Sequence, residues 1–139
     1  MRPAAEILAW TVLPLGIAAA AAALYGRYRA LPAILTGPAI CRLEDNGCVA
    51  LFRTPLAALF RVPNSLLGLL FYGLIAAGLL GGWSARLLLA AATGALAVSI
   101  YLAVRLVRDR LECRICWAGH TANALLWAGL LLRFLAVAR

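Results

Sequence analysis

Residues 113–132 read CRICWAGHTANALLWAGLLL, and this stretch decides what kind of protein the chain is. From Ile115 to Leu132 it holds no Asp, Glu, Lys or Arg, and Arg114 and Arg133 bracket it. That length and bracketing suit a helix crossing the roughly 30 Å hydrocarbon core of a bilayer. At helical spacing Cys113, Cys116, His120 and Asn123 fall at i, i+3, i+7 and i+10, a single stripe. Polar side chains at membrane depth are costly and tend to face an interior site. The helix is therefore expected to carry chemistry as well as to span.

Working outward, three more apolar runs have similar length. Leu87 to Val104 lies between Arg86 and Arg105; a segment opened by Pro63, Asn64 and Ser65 continues to Gly81-Gly82-Trp83; and Ile7 to Tyr25 reads ILAWTVLPLGIAAAAAALY. Together they predict an all-α membrane protein, a four-transmembrane-helix bundle with helices over about 7–25, 64–82, 87–104 and 115–132. One domain covers residues 1–139. Pro14 is expected to kink the first helix, and the short Gly81-Gly82 turn makes the second and third antiparallel neighbours. A cleaved signal peptide is the competing reading of the first run. Retention is preferred because the run is long.

Composition agrees. The chain is 65% hydrophobic and 13% charged, where an ordinary soluble domain is about 45–50% apolar. Its formal charge of +8 comes from arginines that bracket apolar runs, with no basic groove and no interleaved aromatics, which argues against nucleic acid.

The remaining long segment, residues 31–61, holds Pro32, Pro38, Cys41, Cys48 and a Glu44-Asp-Asn-Gly47 connection. About thirty residues is long for a connector, and long ordered loops are usually functional. Short half-apolar helices lying in the interface plane are expected here, with Arg42, Arg53 and Arg61 reaching headgroups. Four crossings put this loop and the Arg105–Arg114 segment on one side of the membrane, so all four cysteines share a face.

Cys113 and Cys116 open a helix, where the partial positive charge of exposed amides favours a thiolate. Their spacing permits a disulfide that opens and closes, as a redox dithiol must. Cys41 and Cys48 can pair with each other or reach the CxxC. Two other readings stand beside the redox one: four cysteines around structural zinc in a membrane sensor, and two disulfides bracing a structural subunit. A c-type haem is excluded because Trp117, not His, follows Cys116. On the second helix Asn64, Leu67, Gly68, Phe71 and Tyr72 fall at helical spacing, and with His120 and Asn123 they would enclose a flat apolar molecule whose carbonyls need donors. A quinone has that shape. Core packing is the alternative reading of Phe71 and Tyr72, and helix-packing hydrogen bonds are the alternative for Asn123 and, less favoured than a ligand contact, for His120.

With its loop pair Cys41 and Cys48, the start Pro63-Asn-Ser-Leu-Leu-Gly68 and Cys113-Arg-Ile-Cys116 opening the last helix, the sequence resembles the vitamin K epoxide reductase family, bacterial members included. The resemblance spans nearly the whole chain. It implies a membrane thiol:quinone oxidoreductase in which Cys116 meets a quinone of the menaquinone or ubiquinone type and Cys113 is its exchange partner. Cys48 would form the transient disulfide with Cys113, and Cys41 would meet the substrate. Asn64 matches the family asparagine that hydrogen-bonds a quinone carbonyl, and Thr54 the serine or threonine after the loop pair, which would belong to the quinone site and help the redox step. His120 stands where vertebrate members carry a tyrosine. Since the sequence stops at Arg139 without a thioredoxin-like domain, a separate thioredoxin-fold partner is expected, its dithiol oxidised as the quinone is reduced. In another quinone-linked disulfide-forming family with four helices, the CxxC comes first in the chain; here the order is reversed. No resident metal is expected.

The expected location is the cytoplasmic membrane of the cell, multi-pass. Arg27, Arg29, Arg42, Arg53, Arg61, Arg105, Arg108, Arg110 and Arg114 share the cysteine face, against Arg2, Arg86, Arg133 and Arg139. The positive-inside rule would turn that face to the cytoplasm, whereas disulfides persist outside. The outward orientation is preferred, with the inverted one as the alternative.

Overall fold

The computed structural model describes residues 2–29, 31–32, 51–59, 61–111 and 113–138. Four long helices dominate them: α1 Arg2–Tyr28, α2 Asn64–Leu80, α3 Ala85–Arg108 and α4 Arg114–Ala138. Three are long and apolar enough to cross a membrane, over Ala4–Tyr28, Ala85–Arg108 and Arg114–Ala138, while α2 is a shorter apolar helix of 17 residues. The first, third and fourth outrun their apolar cores because backbone hydrogen bonding continues past the arginines, whose long stems let the charge reach the interface. Pro14 sits inside α1 without ending it.

Two tight turns set the order of α2, α3 and α4. At the first, Trp83 N–H donates to Gly78 O (2.9 Å), Gly82 adopts φ 67° and Ser84 caps α3 by accepting from Leu87 N–H. At the second, Leu111 N–H donates to Leu106 O (2.8 Å) and Arg110 N–H to Val107 O (3.2 Å), with Arg110 at φ 52°. Both are Schellman closures, which require a left-handed residue just past the helix. Gly82 supplies it freely; Arg110 does so against its Cβ.

Within the expected 31–61 loop, the described part is only partly helical. Pro55–Ala57 form a 3-10 turn, and β1 (Ala58–Leu59) pairs antiparallel with β2 (Val62–Pro63) in the register Ala58↔Pro63 and Leu59↔Val62. This small hairpin turns through Arg61 at φ 67° and delivers the chain to α2, with Pro63 as the residue before its first turn.

Helix α1 is the hub. It runs antiparallel to α4, with Gly129 near the Ala5 carbonyl and Gly119 near Ala19, and antiparallel to α2, with Gly68 against Ala20. Without a hydrophobic drive in lipid, small residues permit the close backbone approach that gives helices van der Waals contact. Helix α3 packs on α4. Although their turn is short, α2 and α3 make few contacts, so these sequence neighbours are joined mainly at the turn, where Gly78 lies against Leu88 and Trp83. Two apolar clusters result. One joins Val12, Leu13, Ile75, Leu88, Leu126 and Leu130; the other, at the opposite end, joins Ala19, Leu51, Phe52, Leu106, Cys113 and Ile115. The outer faces remain apolar, with Ile7, Leu70, Ile100, Val107 and Leu135 exposed, as suits side chains solvated by lipid.

Candidate functional site

The second Schellman closure brings Cys113 to the position just before α4. There its sulfur accepts the Cys116 backbone N–H at 3.3 Å, the contact a Ser or Asp oxygen usually makes at a helix N-cap. The Cys113 and Cys116 sulfurs face each other at 2.7 Å. They differ in surroundings: Cys113 is 0% exposed, among Ala19, Leu51, Phe52 and Ile115, whereas Cys116 is half-buried on a cavity wall. A dithiol with one sulfur sealed in protein and one presented to a cavity suits electron transfer between two different partners.

That cavity, about 320 Å³, fills the gap between α2 and α3. Its walls are mostly Ala, Leu, Phe and Gly side chains, and its size lies at the lower end of the roughly 300–1,000 Å³ range of small-molecule sites. Of the residues singled out by sequence, Asn64, Leu67, Phe71, Cys116, His120 and Asn123 all line it. Thr54 does not: its hydroxyl donates to Leu51 O at 2.7 Å, which holds the turn before Pro55. Cys41 and Cys48 lie outside the described residues. Leu51 and Phe52 close the end nearest the cysteines and are anchored to α1, where Arg27 donates to Phe52 O (2.7 Å) and Arg53 to Arg27 O (3.1 Å).

Deeper in, a chain of polar groups crosses three helices. Tyr72 O–H donates to Asn123 Oδ1 at 2.6 Å, Asn123 Nδ2 donates to Ser99 Oγ at 3.2 Å, and Ser99 Oγ lies 2.6 Å from His120 Nδ1. Asn123 thus has both ends of its amide engaged in bonds between helices, while among the described residues His120 has one ring nitrogen engaged. Tyr72 lies across Gly16, where a Cβ would overlap its ring. Sequence reading passed over Ser99 and Gly16. For Ser99 a signal existed, a hydroxyl inside an apolar span; Gly16 gave none within an Ala-rich run.

The described residues thus hold an apolar cavity with a few convergent polar groups beside a CxxC. The sequence also fits the vitamin K epoxide reductase family model over residues 8–131. The chain belongs to the vitamin K epoxide reductase family. It is therefore a membrane redox enzyme of the vitamin K epoxide reductase type, in a family that generally uses quinones and works with thiol partners. Comparison with curated proteins and with solved structures finds no match.

Proposed function

We propose that this family member is a membrane thiol:quinone oxidoreductase that oxidises the dithiol of a separate thioredoxin-fold protein and reduces a membrane quinone of the menaquinone or ubiquinone type. The observation that carries the reading is Cys116, which lines the apolar cavity while its sulfur lies 2.7 Å from the buried sulfur of Cys113.

In this reading α2 also crosses the bilayer, making four spans, and the cysteine end faces outward from the cytoplasmic membrane. A quinone bound in the cavity supplies a two-electron, two-proton acceptor. Leu67 and Phe71 provide flat apolar walls, and Asn64 and His120 supply hydrogen-bond donors at different walls. The partner dithiol reduces the Cys41–Cys48 disulfide by attack at Cys41; Cys48 then attacks Cys113 of the inner disulfide and releases the Cys116 thiol, Cys41 resolves the mixed disulfide, and reduction of the quinone re-forms the Cys113–Cys116 disulfide. The balance is one partner dithiol oxidised to a disulfide for one quinone reduced to quinol, with both thiol protons accounted for. Thr54 acts at a distance from the cavity, holding the turn that carries Leu51 and Phe52.

Purified protein given dithiothreitol should reduce a short-chain quinone. Cys116→Ala should abolish turnover, and Cys41→Ala should retain it with dithiothreitol while losing oxidation of a thioredoxin-fold substrate. Quinone reduction that survives Cys116→Ala would remove the inner dithiol from the mechanism. Stoichiometric zinc with no quinone reduction would replace the proposal by the metal-sensor reading.

A further inference from the structure

Two of the hydrogen bonds across the cavity wall have a set direction, and they decide the third. Tyr72 donates its phenolic proton to Asn123 Oδ1 (2.6 Å), which turns Asn123 Nδ2 toward Ser99 Oγ (3.2 Å). Having accepted from Asn123, the Ser99 hydroxyl needs an acceptor for its own proton, and among the described residues His120 Nδ1 is the one within reach, at 2.6 Å. Ser99 lines the cavity but is only 4% exposed, which favours the His120 ring over water as the acceptor of that proton. A neutral imidazole whose Nδ1 accepts carries its proton on Nε2. The Trp117 ring meets His120 edge-on at a centroid distance of 6.1 Å.

We propose that Ser99, on α3, is a positioning residue that fixes His120 as an Nε2–H donor to the cavity, providing the hydrogen bond for a quinone carbonyl that Asn64 on α2 does not reach. The proposal rests on the quinone reading but deepens it, because it names how a histidine performs a donor's task. A hydroxyl on an aromatic ring can rotate between donating and accepting. An imidazole is a donor at a given nitrogen only in one tautomer, so it needs a neighbour that selects that tautomer. Ser99 does this from one side and is itself oriented by the Tyr72–Asn123 pair from the other. Gly16 completes the series, since the space it leaves lets the Tyr72 ring reach Asn123.

The chain has a single histidine, so nitrogen-15 histidine NMR of the whole protein in lipid nanodiscs, without quinone, reads its tautomer directly. The Nε2–H form should dominate in the wild type. Ser99→Ala should bring the two tautomers within about threefold of each other, and Ser99→Thr should keep the original preference. In turnover, Ser99→Ala should raise KM for a quinone about tenfold while kcat changes less than about twofold, the signature of lost binding. The same change should add nothing in a His120→Gln background, where an amide supplies a donor with no tautomer to select. A dominant Nδ1–H form in the wild type, or a spectrum unchanged by Ser99→Ala, overturns the proposal. If Ser99→Ala does not fold, Ser99→Cys, whose thiol is a weaker donor, should lower the Nε2–H share, and an unchanged share overturns the proposal. A protein that shows the Nε2–H signal but never reduces quinone would sink the redox reading by itself, so the two failures are separable.

Discussion

Tyr72 is 2% exposed, with its ring over Gly16 and its hydroxyl on Asn123. The ring packs in the core while the hydroxyl reaches across to α4. A methyl group at position 16 would enter the ring's space, and overpacking of this kind costs about 1–3 kcal/mol. Gly16→Ala is therefore expected to lower thermal stability in detergent by about that amount and to raise KM for quinone, because the ring moves away from Asn123. Gly73 is the control: its missing Cβ faces open space, so Gly73→Ala should raise stability by about 0.5–1 kcal/mol. Equal melting of the two variants would mean that nothing pins the ring. Residue types were legible where an expensive side chain stands in an apolar run, as with His120 and Asn123. Gly16 was not, because a missing side chain has meaning only beside the neighbour that fills its place.

The ends of the elements repeat one device with different residues. Gly82 and Arg110 both occupy the left-handed position after a helix, with the same pair of closing hydrogen bonds around them. An L side chain in that conformation costs about 1–2 kcal/mol. Arg110→Gly should thus stabilise the protein by about 1 kcal/mol and leave the thiol–quinone reaction intact, since Leu111 still packs beside Leu106 and Cys113. Gly82→Val should destabilise. Thermal melts of the pair test the assignment, and loss of stability in Arg110→Gly would show that its side chain does more than occupy the turn. Helix existence was legible from four uncharged runs. Their ends were less so, because the runs record where apolar residues stop, whereas α3 continues through Arg105 to Arg108 and α2 stops at Leu80, ahead of the glycine whose φ closes it. The gap between α2 and α3 was not legible, because a two-glycine turn limits the distance between helix ends and says nothing of how their bodies diverge.

At the scale of the molecule, alternating helix directions bring the C-termini of α1 and α3 and the N-termini of α2 and α4 to one end, where Cys113 lies. That end also collects most of the arginines, and arginine excess ordinarily marks the cytoplasmic side. Several of them have work within the fold. Arg27 holds Phe52, Arg53 holds the end of α1, and Arg105 lies 3.5 Å from Asp109. These explain part of the charge without reference to topology, so the raw count overstates the inward signal. Disulfide exchange with a partner favours the oxidising side, and the proposal sets the cysteines there. In intact cells a membrane-impermeant maleimide should label Cys41, once the protein has been reduced, as fully as it does after lysis. A cysteine placed at position 82, at the other end of the bundle, should react only after lysis. Labelling in the reverse pattern would turn the bundle over. The cavity chemistry would survive that result, since it depends on the helices' mutual packing, but the thiol partner would then have to be a cytoplasmic protein.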